Sequence, residues 1–151
     1  MRSSVPNPPF LKPPPSPIQV GQPVSAALSQ PREFHHFEFQ GQAGQVVTVA
    51  AHGGAGLDPE IFLFGPGPFN FPFEIPPLVV GDDDSGPGLD ALLRDVRLPA
   101  AGTYTIEVRS SSLTGFRTTG PYTLRLTAAA ALTVDFLDPV PDLLEVSAVS
   151  Q

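Results

Sequence analysis

Hydrophobic and polar positions alternate along "EFHHFEFQ" (33–40), with Glu33, His35, Phe37 and Phe39 on one face and Phe34, His36, Glu38 and Gln40 on the other. A period of two is strand geometry, because successive side chains of a strand point to opposite faces. The glycine-bounded "GQAG" (41–44) and the β-branched "QVVTVAA" (45–51) follow, and strand, glycine turn, strand predicts a hairpin. "EIFLFG" (60–65), "DALLRDVRLP" (90–99), "GTYTIEVRS" (102–110) and "PYTLRLTAA" (121–129) continue the series. Tyr104, Ile106 and Val108 alternate with Thr103, Thr105 and Glu107, which predicts one buried and one wet face. Short strands punctuated by turns, without an amphipathic helix of useful length, predict an all-β fold built as an antiparallel β-sandwich.

Three stretches break the rhythm. Residues 1–19 are proline-dense, and "PPFLKPPPSP" reads as an extended leader or linker ahead of a sandwich spanning 20–129. In "GPGPFNFPFEIPP" (65–77) Phe69, Phe71 and Phe73 alternate, but the prolines between them forbid a central strand. Two readings stay open there: a loop folding its rings over one end of the sandwich, or an exposed aromatic surface for a ligand. Residues 130–151 form an acidic tail that adds an edge strand or begins a further domain.

Composition narrows the chemistry. The 20 prolines and 14 glycines oppose long helices. A net charge of −7, with no basic stripe, argues against nucleic acid as a partner. With no cysteine, disulfides, thiolate catalysis and Cys-ligated zinc are excluded. No apolar run reaches the roughly 20 residues of a membrane span. The N-terminus lacks the apolar stretch of a signal peptide, so either the protein is not exported by that route or the chain is a piece of a longer precursor.

"TVAAHGG" (48–54) and "DDSGPG" (83–88) echo trypsin-like protease signatures, but His52 and Ser85 lie too close in a chain too short for two barrels. His35 and His36 are strand neighbours facing opposite ways, so they cannot share a metal. In the expected hairpin, His52 would approach Glu33 as a structural contact. The acidic "GDDDSGPGLDA" (81–91) is the remaining candidate. Calcium takes six to eight oxygens, and alternate spacing lets Asp82 and Asp84 converge, with Asp90 and with Asp58 of "LDP" at the same end. Asp83 then points elsewhere into solvent. The competing reading is a plain turn whose carboxylates cap backbone amides. The loop is not an EF-hand, since Gly86 holds its fifth position and no glutamate its twelfth.

In order, "GQPVSAAL" (21–28), "FHHFEFQGQAGQVVTVAA" (34–51), "GLDPEIFLFGP" (56–66), "GDDDSGPGLDALLRDVRLPAAGTYTIEVRS" (81–110) and "GPYTLRLT" (120–127) resemble the bacterial pre-peptidase C-terminal domain family. The resemblance implies a jelly-roll-like sandwich, extracellular or periplasmic. It would serve as a non-catalytic accessory module for secretion, stability or targeting of a peptidase or another exported protein. Some relatives bind collagen and use calcium for stability. The alternative function is a binding module for an extracellular matrix protein or a glycan, using Phe69, Phe71 and Phe73. Three features depart from the family pattern: His35 where an aspartate often stands, the long phenylalanine-rich insertion, and no peptidase domain alongside. Collagen binding is not carried over, because Tyr104 and Tyr122 stand at positions expected in the core.

Overall fold

The computed structural model describes residues 14–129 apart from 55, 71 and 72. Nine strands follow in chain order: β1 (Ser16–Pro17), β2 (Val24–Leu28), β3 (Phe34–Gly41), β4 (Val46–Gly53), β5 (Pro59–Phe64), β6 (Leu78–Asp82), β7 (Ala91–Arg97), β8 (Gly102–Ser110) and β9 (Gly120–Ala128). One sheet has the order β1-β3-β8-β5-β6 and the other β2-β9-β4-β7. Apart from the parallel β1–β3 pair, every pairing is antiparallel.

The pairing is mirrored about the middle of the chain. β2 pairs with β9, β3 with β8, β4 with β7 and β5 with β6. A long double ribbon, with its tip in the 65–77 segment, is thus wrapped into two facing sheets, which is the jelly roll. Connections from one sheet to the other therefore run side by side. The 42–45 turn lies against Leu98, with the Gly44 amide donating to Leu98 O and the Leu98 amide to Gln45 O. This corrects the hairpin expected at "GQAG": β3 and β4 belong to different sheets, and each takes its partner from the second half of the chain. Glycine with a few polar residues serves equally well for a hairpin turn and for a crossing.

Alternation along the strands fills the space between the sheets. Phe37, Phe39, Tyr104, Ile106 and Val108 from one sheet meet Val47, Val49, Leu93, Tyr122, Leu124 and Leu126 from the other, all buried. Among the described residues the core reaches back to Ile18, and β1, within the proline-rich leader, is part of the sandwich. Residues 1–13 and the acidic tail 130–151 lie outside the described residues. β6, "LVVGD", is an added strand at one edge of its sheet.

The crossing at Gly41 is closed to any side chain, since a Cβ there would lie 2.5 Å from Leu98 Cδ1 and 2.8 Å from Tyr104 Cδ1. Gly41→Ala is expected to destabilise the protein by about 1–3 kcal/mol through overpacking. Leu113→Ala, at an 80% exposed position, should stay within about 0.5 kcal/mol of wild type. Urea unfolding midpoints of the two variants check this.

Candidate functional site

Register builds an acidic group at one end of the sandwich. In the order β8-β5-β6, Ser110 pairs with Pro59, and Ile61 with Asp82. The C-terminal ends of β8 and β6 therefore flank the start of β5. Asp58 immediately precedes β5, Asp83 and Asp84 immediately follow β6, and Ser111 immediately follows β8. One carboxylate oxygen from each of Asp58, Asp83 and Asp84 lies within 4.8 Å of the others. Asp58 is only 6% exposed, while Asp84 faces solvent. Ser111 Oγ donates to Asp83 Oδ2 at 2.7 Å. Asp58 Oδ1 and Asp83 Oδ1 are buried without a hydrogen-bond partner.

Electrostatics follow from this packing. Burial, and then the charges of Asp83 and Asp84, push the Asp58 carboxyl up to about 6. Asp82 moves the other way: burial opposes its charge, but the Leu92 amide and the Ser85 hydroxyl and amide outweigh it and hold Asp82 below the ordinary carboxylate range. Asp82 Oδ2 accepts from Leu92 N at 2.8 Å and Ser85 N at 3.0 Å, and Oδ1 from Ser85 Oγ at 2.6 Å.

The expected metal set is therefore only half assembled. Asp58 and Asp84 are brought together, whereas Asp82 is spent on its own turn and on β7. Asp90 is committed elsewhere, its Oδ2 at 2.7 Å from His52 Nδ1 and its Oδ1 accepting from Gly53 N at 3.1 Å. Asp83, expected to point into solvent, turns into the group. Alternation holds only while a strand continues; regular strand ends at Asp82 and the chain bends, so Asp83 and Asp84 both reach Asp58.

The histidines are held one by one. His35 Nε2 meets Glu33 Oε2 at 2.8 Å and Nδ1 meets Tyr122 OH at 2.6 Å, so the expected His52–Glu33 contact is replaced by His35–Glu33 and His52–Asp90. One neutral tautomer satisfies both His35 contacts, donating to Glu33 and accepting from Tyr122. His35 borders a groove of about 350 Å³ between β1, β3 and β2, lined also by Val24, Ala26 and Phe37. His36 Nε2 lies 3.0 Å from Glu107 Oε1 on the opposite face.

That opposite face explains the phenylalanine-rich segment. Arg109 pairs with Glu60 and Glu107 and lies over the rings of Phe62 and Phe116. Phe69 covers this polar layer, 4.5 Å from the His36 ring and 5.5 Å from the Phe64 ring. Phe69 is thereby only 8% exposed, which removes it from any exposed ligand surface. Phe71 lies outside the described residues. Phe73 is 76% exposed.

The fold is shared with known structures. It resembles that of the pre-peptidase C-terminal domain of collagenase from Bacillus anthracis, with a TM-score of 0.57 and 12% identity over 77% of this chain and 98% of that one. It is also similar to PliG of Aeromonas hydrophila, a periplasmic inhibitor of g-type lysozyme, with a TM-score of 0.56 and 18% identity over 77% of this chain and 96% of that one. No family model and no curated protein sequence matches the chain.

The raised Asp58 predicts a pH signature in chelator. Its native carboxyl keeps a proton up to about pH 6, whereas the unfolded group releases it near 3.8. Ionising it in the fold is therefore a cost that grows between those values and is constant above them. Asp58→Asn should be more stable than wild type at pH 7, and the gap should close as pH falls from about 6 to about 4. Urea midpoints across that range measure it; a gap independent of pH contradicts the assignment.

Proposed function

We propose that the chain is a non-catalytic accessory β-sandwich module of an exported bacterial protein. In this reading it assists secretion, stability or targeting of a peptidase-type partner, attached or separate. One observation carries the reading: the ordered stretches that resemble the pre-peptidase C-terminal family, residues 21–127, are the ones that build the jelly roll. That fold covers 98% of the collagenase domain and 96% of the periplasmic inhibitor. The side-chain chemistry agrees with it. Ser85 Oγ donates to Asp82, and His52 is paired with Asp90, so the two residues echoing a protease are each held by a different carboxylate. No helix among the described residues is long and apolar enough to cross a membrane.

A second reading, binding of an extracellular matrix protein or a glycan, is favoured by a different part of the aromatic loop than expected. Phe73, Ile75 and Leu78 are exposed within six consecutive residues, at 76%, 49% and 55%. Large apolar side chains grouped on a surface mark contact sites.

Under the first reading, the purified chain turns over no casein, peptide library or simple ester. Turnover that disappears in Ser85→Ala or His52→Ala contradicts it. For the second, cosedimentation with collagen fibrils and insoluble glycans should fall in Phe73→Ser and Ile75→Ser. Equal sedimentation of these variants and wild type counts against the loop.

A further inference from the structure

We infer that Asp58, Asp83 and Asp84 hold a hard divalent cation, of which calcium fits best, clamping the 82–90 loop to the entry of β5 and the exit of β8. The inference goes beyond the accessory-module reading and does not depend on it.

Two observations carry it independently. The first is the register that delivers three carboxylates from two crossings to one point, with oxygens within 4.8 Å of one another. Like charges that close repel, and no Lys or Arg pairs with any of the three among the described ion pairs. The second is the state of the buried oxygens. Asp58 is only 6% exposed, one of its carboxylate oxygens lies in the group, and its Oδ1 is buried without a hydrogen-bond donor. Asp83 Oδ1 shares this condition. A desolvated carboxylate oxygen with no donor is costly, and a bound cation meets both oxygens at once.

The donor set selects the ion. All three side chains offer oxygen, none offers nitrogen or sulfur, and this is hard-cation chemistry. The exposed side of Asp84 leaves room for water to complete the six to eight oxygens that calcium takes. Ser111 acts as a positioning residue: it is fully buried, and by donating to Asp83 Oδ2 it fixes that carboxylate while leaving Oδ1 without a partner. The rival explanation for the same geometry is a proton shared among the acids, which needs no metal.

Calorimetric titration of calcium chloride into the chelator-treated full chain at pH 7.5, paired with thermal unfolding, separates the two. We expect one ion per chain, with Kd between about 10⁻⁵ and 10⁻³ M, and a Tm that rises by several degrees at about 10 mM calcium. Asp58→Asn and the solvent-facing Asp84→Asn should each weaken binding at least about tenfold. Asp95→Asn, which removes the same charge from an exposed site in β7, should bind as wild type does. An unchanged Tm with no binding heat overturns the inference in favour of the shared proton. So does calcium binding that survives both Asp58→Asn and Asp84→Asn.

Discussion

The mirrored pairing of the chain's two halves is the constraint on which everything else rests. Each of β2, β3, β4 and β5 finds an antiparallel partner in β9, β8, β7 and β6. Once that double ribbon is wrapped, the inner faces are filled by the alternate residues of both halves, and a one-residue slip would turn Phe37, Phe39, Tyr104 and Ile106 out of the core. Closing such long-range pairs costs chain entropy before any contact is gained. Hydrogen bonds between neighbouring crossings, such as those joining 44–45 to Leu98, tie the two arms together where they change sheets.

The same wrapping decides where polar chemistry collects. Crossings lie at the ends of the sandwich, where chain leaves one sheet for the other and hydrophobic alternation no longer applies. The β4–β5 and β6–β7 crossings meet beside the exit of β8, and that meeting brings Asp58, Asp83, Asp84 and Ser111 together. Within the same loop, Asp82 and Asp90 take the opposite role. They cap the amides of Ser85, Leu92 and Gly53, and their hydrogen bonds hold the turn that presents Asp83 and Asp84. The loop is both of the things its sequence allowed, a capped turn and an acidic group, divided between alternate sets of residues.

Local periodicity made six of the strands legible, β3, β4, β5, β7, β8 and β9, because period-two alternation is a property of a segment by itself. Partner choice is not such a property. The "GQAG" segment has the composition of a hairpin turn, and nothing local reveals that β3 belongs with β8, more than 60 residues away. β6 followed a proline-rich segment and carried only "LVVGD", too short to stand out. Phe69 looked like one of three equivalent alternating rings. Its burial depends on His36 of β3 and Phe64 of β5, which the order β3-β8-β5 brings to one face. The acidic group was legible as a location, and Asp58 was already in view, but which aspartates join it depended on where the strand ended. Counting parity past Asp82 as though β6 continued exchanged Asp83 for Asp82.

Register, acting through two crossings, gathers Asp58, Asp83 and Asp84 into one group, and the proposal that this group holds a cation turns on where an ion sits. A crystal structure grown in calcium tests it most directly. The expected result is a single ion in contact with oxygens of all three residues, with Asp82 still on Ser85 and Leu92 and Asp90 still on His52 and Gly53. An ion held by Asp82 and Asp90, or Asp58 and Asp83 joined by a short hydrogen bond with no ion between them, would contradict it.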